Sequence, residues 1–396
     1  MLETLLQLPD DPILGLMAAY RKDPNPLKID LGVGVYKDET GNTPVLEAVK
    51  QAQLHHIQTE TTKTYIGPPG SPGFGTLIEA LILGADHPVI TAGRTNTLQT
   101  PGGCGALRAG AELIKRCNAG ATVWVSNPTW ANHIPLMGDT GLQIKEYPYY
   151  DRATASIQFE AMIATLEQLG PNDVVLLHGC CHNPCGADLN LEQWQQVAEL
   201  AKARGFLPLV DLAYQGLGDG LEEDAAGLRI LAAAVPEMLI TASCSKNFGL
   251  YRERTGAIIA ISSSPVARDI THSQLCNVVR AIYSMPPAHG AALVEIILSS
   301  QELTALWNSE LTAMRNRIND LRRLLVEKIE ARGIQQDFSF ITRQKGMFSF
   351  LGVSPEQVRQ LKADNSIYFV ESSRINVAGI NAGNIDYLVD SLAKVL

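Results

Sequence analysis

The sequence predicts an α/β protein in which a mostly parallel central sheet is flanked by helices and a smaller α/β domain follows. Five short runs are rich in Val, Ile and Leu without clean alternation, as expected for strands covered on both faces. These runs are Thr122–Ser126, Val174–His178, Leu207–Asp211, Leu239–Ala242 and Ala257–Ile261. Helical segments lie between them, and this alternation favours parallel strands joined by crossover helices.

The clearest of these helical segments is Leu191–Arg204. Asn190 precedes it as a suitable N-cap, and Gly205 follows it as a suitable helix end. Within it, Val197, Leu200 and Ala201 share one face, so the sequence predicts an amphipathic helix packed against the sheet.

After Gln301 the pattern changes to apolar residues at helical spacing, which continues to Gly333. A helix of about 29 residues would span roughly 43 Å, which is long enough to bridge two domains. Beyond it, the sequence predicts three short strands and one helix, which are Met347–Leu351, Ile367–Val370, Arg374–Ala378 and Glu356–Ala363. We therefore expect a short, irregular N-terminal segment that contacts the small domain or a partner (1–44), a large domain (45–300), and a linking helix with the small domain (301–396).

Composition limits the partners and the compartment. The 396 residues carry a formal net charge of −9, which argues against a nucleic-acid or anionic membrane surface. The N-terminus lacks the basic and apolar regions of a secretory signal, and no apolar run is long enough to span a membrane. Seven cysteines in a chain of this length indicate reduced thiols and a cytoplasmic protein.

A group of possible metal ligands surrounds Asn183-Pro184, namely His178, Cys180, Cys181, His182 and Cys185. A second ligand pair at a familiar spacing is missing, and the Asn-Pro step imposes a turn. A buried loop with small packing thiols is therefore favoured over a zinc site, and we expect no metal.

The strongest chemical signal is Lys246, which directly follows an apolar strand. In open α/β sheets, ligands bind at the carboxyl edge of the strands. Ser243, Ser245 and Arg254 surround the lysine in sequence, and hydroxyls with a guanidinium can hold a phosphate. The alternative explanation is an ordinary exposed lysine, but the two hydroxyls and the guanidinium near Lys246 argue against it.

Four further side chains follow predicted strands. Asp211 ends one strand and Tyr214 comes three residues later, while Asn183 and Trp130 follow two others. Each has a structural alternative, since a terminal Asp is often a turn former and a Trp often packs in a core. Their common position at successive strand ends predicts one crevice.

Together these motifs resemble the class I aminotransferases that use pyridoxal phosphate, in the bacterial aspartate and aromatic amino-acid branch. The resemblance covers nearly the whole chain and rests on Leu31–Asp38, Thr62–Tyr65, Gln99–Leu107, Asn127–Trp130, His182–Gly186, Asp211–Gly216, Ser243–Gly249, Arg280, Pro286–Gly290 and Arg374–Gly379. The combination of Ser-x-Ser-Lys, Asp-x-Ala-Tyr and Asn-Pro is specific, although no single piece is. It implies the fold type I architecture and a homodimer with shared active sites.

The resemblance assigns roles at the reacting end of the cofactor. Lys246 would hold the cofactor's aldehyde and then act as the base for the substrate's α-proton. Asp211 would keep the pyridine nitrogen protonated, so that the ring withdraws electrons. Tyr214 and Asn183 would bond the ring's phenolic oxygen, and Trp130 would stack on the ring.

Further roles concern the phosphate and the substrate. The implied phosphate-binding residues are Gly103, Cys104, Ser243, Ser245, Arg254 and, from the neighbouring subunit, Tyr65. Arg374 would bind the substrate's α-carboxylate, and Gly34 lies in another matched substrate-binding motif. Arg280, again from the neighbouring subunit, would bind a distal carboxylate. His133 and His178 would support Asp211 and the ring.

The chain departs from the family pattern at a few positions. Cys104 replaces a usual Ser or Thr, and Cys185 replaces a common Thr, so we expect weaker cofactor retention with intact chemistry. Met285 and Thr64 soften the polarity of the substrate pocket, while Arg280 favours dicarboxylates. We expect a ping-pong transaminase that uses 2-oxoglutarate with aspartate or an aromatic amino acid.

Three alternatives lie outside transamination. Another fold type I enzyme, such as a decarboxylase, lyase or α-oxoamine synthase, would share the cofactor but differ in product. A nucleotide-binding dehydrogenase is suggested by Gly32-Val-Gly34, but the third glycine and the following helix are missing. A catalytically silent binding protein is disfavoured by the set Lys246, Asp211, Tyr214 and Arg374.

Overall fold

The computed structural model describes residues 2–7 and 12–396. Two short 3-10 segments lie at Leu2–Thr4 and Val377–Gly379. The α-helices of the described residues are α1 Pro12–Lys22, α2 Glu47–Thr59, α3 Pro72–Leu83, α4 Pro88–Thr91, α5 Gly102–Cys117, α6 His133–Gly138, α7 Phe159–Leu166, α8 Leu191–Arg204, α9 Leu221–Ala234, α10 Pro265–Ile282, α11 Ala288–Ser299, α12 Gln301–Ala331, α13 Phe340–Arg343, α14 Pro355–Asn365 and α15 Ile385–Leu392.

The strands of the described residues are β1 Ile29–Asp30, β2 Thr95–Pro101, β3 Thr122–Asn127, β4 Gln143–Pro148, β5 Tyr150–Asp151, β6 Ser156–Ile157, β7 Asp173–His178, β8 Leu207–Leu212, β9 Met238–Ser243, β10 Thr255–Ile261, β11 Phe348–Phe350, β12 Ile367–Tyr368 and β13 Arg374–Asn376. None of the described helices is long and apolar enough to cross a membrane.

The chain divides into two compact units. One unit contains residues 1–43, 317–343 and 347–396, and the other contains residues 44–316 and 344–346. The division between residues 316 and 317 falls inside helix α12, which has 31 residues.

The unit formed by residues 44–316 and 344–346 contains a seven-stranded sheet in the order β2-β10-β9-β8-β7-β3-β4. The neighbours from β9 to β4 pair in parallel, whereas β10 runs antiparallel to both β9 and β2. Every residue of β9 and β10 is buried, as predicted for strands covered on both faces. The predicted fold class, a mostly parallel sheet flanked by helices, is confirmed.

Helix α5 shows how the sheet is covered. Leu107, Ala111 and Ile114 are buried on it and belong to one core cluster with Leu239 and Ile258 of the sheet. Removal of a large apolar side chain from water stabilises the fold by about 1.5–3 kcal/mol. Strands β2 and β4 were not predicted from the sequence, because both contain many polar residues.

Helix α8 has the predicted bounds and caps. The Asn190 side chain accepts from the Gln193 backbone N–H, and the Gln193 side chain accepts from the Asn190 N–H in return. Gly205 ends the helix with φ 77°, a left-handed conformation that costs glycine little.

The unit formed by residues 1–43, 317–343 and 347–396 contains two small sheets. In one, β1 pairs with β12 in parallel, and in the other, β11 pairs with β13 in antiparallel fashion. The prediction of an irregular N-terminal segment was wrong for residues 12–22, which form helix α1. Pro24 and Pro26 lie beyond the last helical residue, Lys22, where proline does not interrupt helical hydrogen bonds.

Candidate active site

Asp211 lies near the end of β8, between the two strands that support it. Its register partners are His178 of β7 and Thr241 of β9. Thr241 Oγ1 donates to Asp211 Oδ1 at 2.7 Å, and His133 Nε2 lies 3.3 Å from Oδ2. Burial alone would raise the pKa of Asp211, but His133 and Thr241 outweigh it and hold the pKa below its ordinary value. The buried carboxylate therefore stays charged.

The predicted imidazole support of Asp211 is a connected set of side chains. Thr129 Oγ1 lies 2.8 Å from His133 Nδ1 and 3.2 Å from His178 Nε2, so one hydroxyl joins the two rings. Burial, with His133 nearby, lowers the pKa of His178 to about 3, so this ring is neutral at ordinary pH. The indole of Trp130 meets the His133 ring edge to face, with centroids 5.2 Å apart.

Lys246 follows β9, as the sequence predicted. Its Nζ lies 5.0 Å from the centroid of the Tyr214 ring. Burial is the main cause that lowers the pKa of Lys246, and the Arg254 cation acts in the same direction, whereas Asp211 and Cys104 oppose it. The lowered pKa favours the neutral amine, the form that can act as a nucleophile or a base.

The start of helix α5 is shaped around Arg254. Gly102 has φ 68°, and a Cβ built on it would lie 2.7 Å from Arg254 Nη2. Gly103 is also close-packed, since its Cβ would lie 3.3 Å from Ser243 Cβ. Pro101 before the helix provides no side-chain acceptor, so the N–H groups of the first turn remain suited to a ligand.

Two serines complete this donor-rich region. Ser243 Oγ accepts from the Ser245 N–H at 3.3 Å, and Arg254 Nη1 donates to Ser245 Oγ at 3.4 Å. Arg254 has no carboxylate partner within residues 2–7 and 12–396. Burial raises the pKa of Cys104, so its thiol is neutral beside these groups. The structure thus brings Ser243, Ser245 and Arg254 together beside the start of α5, which carries Gly103 and Cys104.

Asn183 lies in the loop after β7, where its peptide bond to Pro184 is cis. Asp188 holds this loop by accepting from the N–H groups of Cys181 at 2.6 Å and His182 at 2.8 Å. Asn183 is 7% exposed, and its buried Oδ1 has no hydrogen-bond partner in the part of the chain that the structure describes. A buried amide oxygen of this kind is suited to a bound group.

The cysteines of this loop pack against a histidine and a carboxylate. Cys185 Sγ lies 3.1 Å from His182 Nδ1. Cys180 and Cys181 approach Asp224, but that carboxylate accepts backbone N–H groups at both oxygens, at 2.8, 2.8 and 2.9 Å. Its hydrogen bonds therefore hold the turn before α9.

Arg374 and Gly34 belong to the other unit, and they lie beside the same phenyl ring. The Arg374 guanidinium carbon lies 4.5 Å from the centroid of Phe348, and Nη2 donates to the Gly32 carbonyl at 2.7 Å. A Cβ on Gly34 would lie 3.1 Å from Phe348 Cζ, which explains why glycine is suited to this position. Arg374 is 6% exposed, so its orientation is defined by packing.

Tyr65 and Arg280 lie on the surface of their unit. Tyr65 is 88% exposed. Arg280 is exposed near the end of α10, and its guanidinium donates to the Ser284 hydroxyl. Neither contacts another predicted site residue within the described part of the chain.

Two residues that support the site, Thr129 and Thr241, were not predicted from the sequence. Thr241 could have been found from strand pairing, because it is the register partner of Asp211 on the adjacent strand. Thr129 lies inside the Asn-Pro-Thr-Trp motif, but its contact with two histidines depends on tertiary structure.

A mostly parallel sheet that carries a lysine, a buried carboxylate and a helix start rich in N–H donors at its carboxyl edge is typical of cofactor-dependent enzymes of the α/β class. Residues 26–392 match the family model for aminotransferase class I and II. The chain belongs to this family.

Relatives with the same architecture are known at high similarity. The chain is 48% identical over 396 residues, covering all of both proteins, to one named aspartate aminotransferase from Escherichia coli strain K12. It is also similar to the crystal structure of an aromatic-amino-acid aminotransferase from Burkholderia pseudomallei covalently bound to pyridoxal phosphate. The TM-score is 0.98 at 43% sequence identity, and the match covers 100% of this chain and 99% of that one. A psychrophilic aromatic aminotransferase from Psychrobacter sp. B6, cocrystallised with aspartic acid, has TM-score 0.97, 40% identity and coverage of 100% and 99%.

Proposed function

We propose that the protein is a pyridoxal-phosphate-dependent aminotransferase that works by a ping-pong mechanism through Lys246. The observation that carries this proposal is the combination of a lysine with a lowered pKa and a buried, charged Asp211 at one sheet edge. When bound, pyridoxal phosphate supplies an aldehyde that holds the substrate nitrogen and a ring that withdraws electrons from the α-carbon.

The donor-rich start of α5 fits the phosphate of this cofactor. Arg254 offers a guanidinium without a carboxylate partner in the described residues, and Ser243 and Ser245 offer hydroxyls. The N–H groups of Gly103 and Cys104 add the partial positive charge of a helix start. A multiply charged anion with several acceptor oxygens matches this set of donors.

Lys246 moves the proton of the reaction. Its lowered pKa favours the neutral form of Nζ, which can accept the α-proton and return it at the acceptor carbon. Tyr214, whose ring lies 5.0 Å from this nitrogen, and Asn183, through its Nδ2 donor, can orient the acceptor oxygen of the bound group.

Asp211 acts as a charged hydrogen-bond acceptor in the site. Because His133 and Thr241 keep its carboxylate ionised, it can accept a hydrogen bond from the protonated nitrogen of a bound pyridine ring. Trp130 offers an indole face next to His133 for stacking.

We propose glutamate/2-oxoglutarate for one half-reaction and aspartate or an aromatic amino acid for the other. Arg374, fixed by Gly32 and Phe348, presents a guanidinium suited to an α-carboxylate. Relatives named for aspartate and for aromatic amino acids match the chain at comparable identity, which supports dual use. None of the seven cysteines, all of which lie in the described part of the chain, forms a disulfide, which supports a reducing compartment and hence the cytoplasm.

The test is the visible spectrum of protein loaded with pyridoxal phosphate, followed in single turnovers with glutamate, aspartate, phenylalanine and tyrosine. We expect bleaching with glutamate and with aspartate or an aromatic substrate, together with a stoichiometric 2-oxo acid. Lys246→Ala should lose this conversion, whereas the matched variant Lys394→Ala should keep it, because Lys394 is exposed at the C-terminus. Formation of CO₂ or a cleavage product without a 2-oxo acid would instead identify another fold type I reaction.

We further propose that the active unit is a homodimer in which Tyr65 and Arg280 serve the site of a second copy. Both side chains are exposed on one chain, and so are the apolar residues Ile57 of α2 and Ile270 of α10. Burial of such residues favours association.

Mixed variants test the shared site directly. Lys246→Ala and Arg280→Ala homodimers should both be deficient in aspartate turnover. After subunit exchange, each mixed dimer has one site with both defects and one intact site, so activity should recover. Mixed dimers without recovered activity would contradict the sharing of Arg280, while the Lys246 spectrum would still report on transamination.

A further inference from the structure

A cavity of about 350 Å³ lies at the amino ends of the parallel strands, in the unit formed by residues 44–316 and 344–346. Val174, Leu207 and Leu239, near the starts of β7, β8 and β9, line it. Asp211 lies four residues after Leu207 on the same strand, which corresponds to about 13 Å. The cavity is therefore at the opposite end of the strands from the candidate active site.

The interior of this strand-start cavity is apolar. Leu113 of α5 and Phe206 join the three strand residues, and all except Leu207 are buried. An apolar side chain placed there would gain about 25 cal/mol for each Å² of apolar surface removed from water. The cavity can thus bind a ligand through an aliphatic or aromatic group.

The mouth of the cavity carries two opposite charges. Lys202 of α8 and Glu237 before β9 both line it, and both are exposed. Neither forms a hydrogen bond or ion pair with the other or with another residue among 2–7 and 12–396. Glu237 suits an ammonium and Lys202 suits a carboxylate, so the two charges match those of a zwitterion.

We propose that this cavity binds an apolar α-amino acid, with the side chain in the apolar interior and the zwitterion between Lys202 and Glu237. Other polar groups at the mouth are already engaged. Asn118 and Asn172 bond each other at 3.0 Å, and Asp173 accepts from Trp124 Nε1 at 2.9 Å. This site is additional to the proposed function, and its occupancy does not depend on turnover.

A cysteine that lines the cavity can report whether a ligand is bound there. Cys117, an exposed free thiol at the end of α5, lines the mouth, and its pKa is raised by burial and by Glu237. The experiment measures the rate at which N-ethylmaleimide modifies Cys117 in the cofactor-loaded protein, followed by peptide mass spectrometry. Because modification is read at one cysteine, binding at the opposite strand ends is not detected.

L-Phenylalanine should slow the modification of Cys117 several-fold at saturation. L-Aspartate, which has no apolar side chain, should not protect at the same concentration. Phenylacetate lacks the ammonium and phenethylamine lacks the carboxylate, so both should protect more weakly than L-phenylalanine.

Charge variants at the mouth test the zwitterion. Lys202→Gln and Glu237→Gln should each raise the half-protecting concentration of L-phenylalanine about two- to fivefold, as expected for exposed ion pairs. Glu199→Gln, an exposed change on α8 outside the cavity, should have no effect. Absence of protection, equal protection by L-aspartate, or equal half-protecting concentrations in all three variants would overturn the proposal.

Discussion

The hydrogen bond from Thr241 to Asp211 is expected to carry a large and measurable free energy. Thr241 is completely buried, and its hydroxyl donates to a buried carboxylate oxygen at 2.7 Å. Thr241→Val keeps the shape of the side chain and the preference for a strand, but removes the donor. The variant therefore isolates one bond to the charged group of the candidate site.

The expected loss is about 1.5–3 kcal/mol of unfolding free energy at neutral pH, the usual contribution of a hydrogen bond to a charged group. Asp211 has a pKa held below its ordinary value, so its charged form stabilises the fold above the unfolded-state pKa of about 3.9. This contribution is lost as pH falls through the folded-state value. The deficit of Thr241→Val should accordingly shrink on acidification, because a protonated carboxyl no longer depends on the donor.

Thr255→Val is the matched control. Thr255 is also completely buried, on the adjacent strand β10, but its hydroxyl has no hydrogen-bond partner among residues 2–7 and 12–396. The same substitution there removes an unsatisfied group and should be neutral or stabilising by up to about 1 kcal/mol. Denaturant unfolding of both variants at one protein concentration gives the comparison, and losses within about 0.5 kcal/mol of each other would refute the role assigned to Thr241.

Three other changes test separate parts of the candidate site. Cys104→Ser restores a stronger donor and should tighten pyridoxal phosphate binding about two- to tenfold, for a gain of about 0.5–1.5 kcal/mol; an unchanged dissociation constant in equilibrium dialysis would contradict this. Gly102→Ala should cost about 1–2 kcal/mol in denaturant unfolding and weaken cofactor retention, since its φ is 68° and its Cβ would displace Arg254. His178, with a pKa of about 3, is neutral in the folded state, so its unfolded form binds more protons below pH about 6.5. Its contribution to stability should therefore fall by up to about 1.4 kcal/mol per pH unit on acidification, and His178→Asn should lose that slope in pH-dependent unfolding.

The strands predicted from the sequence are those whose burial is already visible as apolar composition. Strands β9 and β10 lie within two residues of their predicted bounds, because their side chains are apolar on both faces. Strand β2 was missed although most of it is buried. Thr95 and Thr97 donate to Glu79, and Gln99 donates to the Pro287 carbonyl, so tertiary partners satisfy its polar side chains. Such partners, distant in sequence, cannot be inferred from local composition.

The site residues that could be predicted from the sequence are those that lie at or just after the end of a strand. Lys246 and Asp211 follow apolar strands, and parallel pairing brings such ends to one edge. The supporting contacts were harder to predict from the sequence. The bond from Thr241 to Asp211 depends on the register between β8 and β9. The bridge of Thr129 between His133 and His178 depends on how the chain turns in three dimensions.

A buried guanidinium does not by itself mark an arginine as functional. Arg322 is almost fully buried, and the carbonyls of Ile341 and Phe348 accept from its guanidinium within its own unit. Arg254 differs in its surroundings. Its guanidinium donates to the Tyr251 carbonyl at 3.1 Å and to the Ser245 hydroxyl, and it lies beside the start of α5, whose N–H groups can also donate to an anion. Convergence of a guanidinium, two serine hydroxyls and a helix start, and not positive charge alone, is what makes this part of an acidic chain suited to phosphate.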